Sequence, residues 1–174
     1  MIQRKYLYFI IISILIVGIV IYTYFPESEI PDNITIEKIV VLKSERKLLV
    51  YGEGKLIKTY IIALGKEPIG KKQFECDDKT PEGQYYIYDK NQYGKFHKTL
   101  GISYPNNEDI KFAKQAKRLP GGDVKIHGLK DNFGILSKFH IFKDWTAGCI
   151  ALTNVEIDEL YDHVPIGTPI EIKP

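Results

Sequence analysis

The feature that most constrains this chain is the uninterrupted apolar run YLYFIIISILIVGIVIYTYF, from Tyr6 to Phe25. It contains no charged residue and no polar stripe, so it does not read as a surface helix of a globular domain. At ~1.5 Å per residue, roughly 20 helical residues cover the ~30 Å hydrocarbon core of a bilayer. Aromatic residues gather at both ends (Tyr6, Tyr8 and Phe9; Tyr22, Tyr24 and Phe25), as interfacial residues do. Arg4 and Lys5 precede the run and Glu27 and Glu29 follow it, which favours an N-terminus inside and the rest of the chain outside. The exit reads TYFPESE, unlike the small-residue exit of a cleaved leader. Residues 1–25 are therefore expected to be a single transmembrane anchor. No cysteine lies near its end to take a lipid.

Residues 26–33 form a short acidic linker with two prolines, and 34–174 remain for one extracytoplasmic domain on the periplasmic or cell-wall side. A formal charge of +2 over 174 residues gives no electrostatic footprint for a nucleic acid. ITIEKIVVLK, RKLLVYG and KLIKTYIIAL are short, rich in Ile, Val, Leu and Tyr, and separated by the turn-like KSE and EGK. QYYIYD, VKIHG, CIAL and PIEIK supply further strands. Two segments read as helices: NNEDIKFAKQAKR, capped by Asn106 or Asn107, and TNVEIDELYDHV, where Thr153 and Glu156 form a capping box. The expectation is a mainly β domain, a β-sandwich with one or two short helices. Leu129 to Trp145 has no clear period and reads as a long loop with Gly134 as a hinge; loops of that length are often functional.

The chain has two cysteines, Cys76 and Cys149. Cys149 lies in DWTAGCIAL, between a small-residue turn and an apolar strand. GKEPIGKK matches the G-x-x-x-x-G-K pattern, but Lys72 stands where a phosphate loop needs Ser or Thr, and no helix follows. Cys149, His127, His140 and Asp144 could be considered for zinc, yet their spacings match no common site, so no metal is expected. A disulfide between the cysteines is compatible with an extracytoplasmic domain. A nucleophile is the remaining reading. Ala147 and Gly148 leave the backbone before Cys149 open, and IHG puts His127 at a strand end where an imidazole could meet the thiol. The residues alone leave these alternatives open.

Across about Ile34 to Lys173 the chain resembles the L,D-transpeptidase catalytic domain family (YkuD-like). The resemblance is carried by SERKLLVYGEGKLIKTYIIALG, KTPEGQYYI, GISYPN, GGDVKIHG and DWTAGCIALTNVEIDELYDHVPIGTPIEI. Thr146, Gly148, Cys149, Gly167, Thr168 and Pro169 fall in the family's order. The resemblance implies that Cys149 is an acylated nucleophile and His127 its base, with no cofactor. It implies an orienting Gly128 carbonyl, oxyanion donors from the Gly148 and Cys149 amides, and substrate contacts at Trp145 and Thr146. The implied partner is the peptidoglycan stem peptide, passed through a thioester to an acceptor amine, or to water. Many members carry Arg two residues after the cysteine, where this chain has Ala151.

The apolar run generates its own test. Alkaline carbonate washing should leave the full-length chain in the membrane fraction. Recovery of a soluble chain beginning after Phe25 would reverse the anchor reading.

Overall fold

The computed structural model describes residues 4–24, 28–130 and 139–174. The N-terminal run forms α1 (Arg4–Tyr24), 21 residues long. Its described side chains from Tyr6 to Ile19 are exposed. Among the described residues no helix is long and apolar enough to cross a membrane. The expected transmembrane helix is therefore not supported by the described part of the chain. The side chains of residues 20–25, which complete the apolar run, lie outside it.

The domain begins with an antiparallel meander, β1 (Lys38–Leu42), β2 (Lys47–Gly52) and β3 (Lys55–Ile61). Alternation of burial along β2 matches its alternating Leu48 and Val50 against Lys47 and Leu49, the period of a strand with one face in the core. Glu53 and Gly54, with φ of 50° and 69°, make the two-residue turn between β2 and β3. Positive φ at both positions gives the turn the twist that strand pairs need. β4 (Gly83–Gly94) and β5 (His97–Ile102) form a long hairpin, followed by α2 (Asn107–Gln115). β6 (Lys125–His127), β7 (Ile150–Ala151), α3 (Asn154–His163) and β8 (Pro169–Lys173) complete the chain.

The strands run in the order β3-β2-β1-β8-β4-β5-β6-β7. The C-terminal β8 inserts between β1, to which it is parallel, and β4. β4 is the corner. Its first residues pair with β8, the rest pair with β5, and register shifts follow Ile87 and Asn91. Such irregularities bend a strand and increase its twist. The two ends of the order then meet, because the chain leaving β3 bridges β7 at Ala63–Ala151 and continues to a Gly65–Thr146 bridge. In place of the two separate sheets of a sandwich, the domain has one continuous curled sheet that closes on itself. Ile39, Val41, Leu48, Val50, Ile87, Leu100, Ile126, Ile150 and Ile170 fill its interior with Ile157 and Leu160 of α3.

Both helical expectations hold. Asn106 caps α2 by accepting from the Glu108 and Asp109 amides at 2.9 and 3.0 Å. Thr153 and Glu156 form the capping box of α3. β5 is not among the strands expected from the sequence, because HKTL lacks the alternation that marks its neighbours.

Between β3 and β4 the chain makes a long excursion that is held by a buried lysine. Lys43, 2% exposed, donates to the Gly70 and Thr80 carbonyls and to Glu82 at 2.7, 3.0 and 2.7 Å. Burial drives its pKa down, against the pull of Glu82, yet three oxygens satisfy the ammonium. Removing one partner of a buried pair leaves the other charge uncompensated, at a cost of about 3–5 kcal/mol. Lys43→Met should therefore lower the stability of the domain by about that amount in denaturant unfolding. A loss below ~1 kcal/mol would show that the ammonium contributes little there.

Candidate active site

The site is built where β6 and β7 lie side by side. They pair in parallel, Ile126 with Ile150 and His127 with Ala151. Ile126 and Ile150 are fully buried and fix which face of each strand points into the core. Cys149 immediately precedes β7, two residues before Ala151, and so lies on the face opposite Ile150. His127 stands opposite Ile126. The register thus places Cys149 and His127 diagonally on one face of the paired strands.

His127 is 4% exposed, and its Nδ1 lies 2.7 Å from the Gly128 carbonyl oxygen. A carbonyl only accepts, so Nδ1 carries the proton and Nε2 keeps its lone pair, without a partner among the described residues. Phe96 lies against the imidazole at 4.7 Å between centroids, and Trp145 meets it edge-on at 5.7 Å. Burial pushes the His127 pKa below its ordinary value, opposed by the bond to Gly128 and aided by the Lys125 charge. That shift favours the neutral imidazole.

Cys149 is partly exposed and free, as is the exposed Cys76, so the disulfide alternative is not realised. The Cys149 sulfur lies 3.8 Å from the Asp123 carbonyl oxygen. Burial pushes its thiol pKa up, more than the Lys125 amide and the charges of Lys125 and Lys72 pull it down. Both directions favour the neutral form of each group, a thiol at Cys149 and an imidazole at His127.

The turn before Cys149 is fixed on every side. The Thr146 hydroxyl donates to the Cys149 carbonyl at 2.7 Å and accepts from the Gly148 amide at 3.1 Å. Thr146, 4% exposed, therefore shapes the loop from within. The Gly148 N–H, one of the two amides named as oxyanion donors, is occupied by that hydroxyl. The Cys149 N–H has no partner among the described residues. Gly148 has φ of 123°, and a Cβ there would lie 2.5 Å from the Lys79 carbonyl oxygen. Asp144 accepts from Arg46 at 3.1 and 2.7 Å and from the Leu64 amide at 2.9 Å. Both of its oxygens clamp the loop to the meander, which explains an aspartate considered above for zinc. Among the described residues no group of three or more His, Cys, Asp or Glu could hold a metal ion.

Three neighbours were not singled out for this role in the sequence. Phe96 arrives on the β4–β5 turn, with no motif to mark it. Lys72, 4% exposed, donates to Asp77 and the Phe74 carbonyl at 2.7 and 3.0 Å and brings a buried cation toward Cys149. His140, in a turn over residues 139–142, has its pKa lowered to about 4 by burial and by nearby His127. Its two ring nitrogens and the Trp145 Nε1 are buried without partners among the described residues. Residues 131–138 of the expected long loop, with the hinge placed at Gly134, lie outside the described residues.

Residues 36–172 match the sequence profile of the L,D-transpeptidase catalytic domain (YkuD). The chain belongs to that family. It is 30% identical over 149 residues to the "Probable L,D-transpeptidase ErfK/SrfK" of Salmonella typhimurium, covering 82% of this chain and 46% of that protein. Bd1075 of Bdellovibrio bacteriovorus superposes with a TM-score of 0.57 at 25% identity, over 82% of this chain and 49% of that one. The helical cell shape determining protein Pgp2 of Campylobacter jejuni gives 0.57 at 22% identity, over 84% and 52%, a likeness of fold. The chain spans about half the length of each of these relatives.

The two pKa directions set the pH behaviour of the thiol. Carbamidomethylation of Cys149 should be slow at pH 7 and rise with pH to a midpoint above the ordinary thiol value of about 8.5. A midpoint near or below pH 7 would mean that a resting thiolate, and not a neutral pair, occupies the site.

Proposed function

We propose that this protein is a cysteine-dependent peptidoglycan L,D-transpeptidase, an acyltransferase whose nucleophile is Cys149 and whose base is His127. The observation that carries the reading is the imidazole whose Nδ1–H is tied to the Gly128 carbonyl and whose Nε2 has no partner among the described residues, one strand from the thiol. A neutral pair suits this chemistry, because the proton is moved when the nucleophile attacks and not before.

In the first half-reaction the Cys149 proton passes to His127 Nε2 as the sulfur attacks the carbonyl carbon of the stem-peptide amide before the terminal D-alanine. The oxyanion is stabilised by backbone amides, with the Cys149 N–H, which has no partner among the described residues, as the first candidate donor. The C–N bond breaks, the imidazolium returns its proton to the leaving amine, and a thioester remains. In the second half-reaction an acceptor amine of a neighbouring stem gives its proton to His127 and attacks the thioester. The thiolate leaves and recovers the proton, and a cross-link is formed.

A second reading has water in place of the acceptor amine, giving an L,D-carboxypeptidase or an amidase that releases a wall-linked group. Ala151 favours it. Where many members carry Arg, this residue is fully buried and exchanges both backbone hydrogen bonds with Ala63 at 3.1 and 2.8 Å. No guanidinium is available there to hold an acceptor's carboxylate.

The proposal places the domain, residues 34–174, outside the cytoplasm, tethered through residues 26–33 by a membrane anchor within residues 1–25. The uncharged apolar run from Tyr6 to Phe25, with Arg4 and Lys5 before it, is what supports that placement.

Intact mass after exposure to a tetrapeptide stem should show an acyl adduct that disappears in Cys149→Ser and persists in Cys76→Ser. His127→Ala should slow acylation by about 100-fold or more, the worth of a positioned base. Muropeptide products with and without an acceptor separate cross-linking from hydrolysis. Activity lost in folded Cys76→Ser and kept in Cys149→Ser would assign the wrong thiol.

A further inference from the structure

The Gly128–Leu129 peptide unit is buried, with Gly128 packed under α3 and Leu129 3% exposed. A buried peptide must satisfy both of its polar groups. Its carbonyl oxygen accepts from His127 Nδ1 at 2.7 Å. Its N–H donates to the Asn154 side-chain oxygen at 2.7 Å. One amide plane therefore joins the imidazole on one side to the Asn154 carboxamide on the other. Because Leu129 N–H is a donor, the oxygen end of the carboxamide must face it, which fixes the orientation of the amide.

The placement of Asn154 is fixed independently of the imidazole. It is the first residue of α3, directly after the capping Thr153. The Leu152 amide donates to the His127 carbonyl at 2.9 Å, which ties the approach to α3 onto the end of β6. Further along, Ile157 and Leu160 are fully buried. A Cβ at Gly128 would lie 2.7 Å from the Asn154 oxygen, 2.9 Å from Ile157 and 3.1 Å from His97. Glycine at 128 is what lets the helix end approach the peptide closely enough for this bond.

We propose that Asn154 is a positioning residue for His127, acting through the Gly128–Leu129 peptide to hold the Nδ1–H tautomer and aim Nε2 toward Cys149. A hydrogen bond accepted from the N–H of an amide makes its carbonyl a better acceptor, since bonds in a chain polarise one another. Without it the peptide is free to rotate toward other partners, and the imidazole loses the acceptor that distinguishes its two nitrogens. The inference rests on the reading of His127 as the base, and its test is separable from that reading.

The test compares wild type with Asn154→Leu, which removes the acceptor at similar volume, and Asn154→Asp, which keeps one. Ring 15N chemical shifts of His127 near neutral pH should show the Nδ1–H tautomer in wild type and in Asn154→Asp, and a mixed or reversed tautomer in Asn154→Leu. Partners that orient a metal-bound histidine are typically worth about 10–100-fold, and an orienting chain of the same kind at His127 gives an expected slowing of acylation by about that factor in Asn154→Leu at unchanged KM. Asn154→Asp should restore the rate. The proposal is overturned if folded Asn154→Leu keeps the wild-type tautomer and rate, or if wild type itself carries its proton on Nε2. Should Asn154→Leu fail to fold, loss of the Nδ1–H tautomer in folded Asn154→Asp overturns it, and retention there supports it. A tautomer that follows Asn154 in a protein that no stem peptide acylates would overturn the proposed function and leave the positioning role standing.

Discussion

Two parallel rungs, Ile126 with Ile150 and His127 with Ala151, are the constraint on which the site depends. Side chains alternate across a strand, so burying Ile126 and Ile150 sends Lys125, His127 and Cys149 to the other face together. A slip of one residue in either strand would separate Cys149 from His127 and turn an isoleucine out of the core cluster. The core therefore enforces the register of the site. Parallel strands cannot be joined by a tight turn, and the connection between these two runs from Gly128 to Cys149. That requirement explains why a long segment links His127 to Cys149.

The closure of the sheet supports this pairing from the far side. Ala63 and Ala151 exchange two backbone hydrogen bonds, which covers the outer edge of the two-residue β7. A strand that short has little stability as an edge, and pairing on both sides holds it. Arg46, Asp144 and the Leu64 amide then fasten the preceding loop to the meander. The loop before Cys149 is thus held by Arg46 and Leu64, which flank the β2–β3 hairpin and lie 98 and 80 residues from Asp144 in the chain.

Burial sets the electrostatics as well as the geometry. It raises the Cys149 pKa and lowers that of His127, so both neutral forms are favoured in the resting site. The nearby buried cations, Lys43 and Lys72, are consumed by carboxylates and carbonyls of the excursion that precedes β4. Their main role is to hold that excursion against the turn at Gly148, where the Lys79 carbonyl leaves no room for a Cβ.

By itself the sequence determined the elements with strong local signals. Alternating β-branched runs gave β1 to β3, and the Asn106 and Thr153 caps gave α2 and α3, because period and capping chemistry act within a few residues. It also marked Cys149 and His127 as candidate positions, through the ordered motifs that resemble the L,D-transpeptidase catalytic domain, while the residues alone left nucleophile, disulfide and metal readings open. β5 and the curl at β4 were not legible, because bulges and pairing partners depend on contacts far apart in the chain. Nor did the sequence reveal that Thr146 spends its hydroxyl inside the loop, that Phe96 lies against His127, or that Asn154 grips the peptide beyond it. Each of these brings residues from separate elements to within a hydrogen bond or a ring contact. Only tertiary packing decides such neighbours, because the free energy that selects them comes from burying the shared core and not from local propensity.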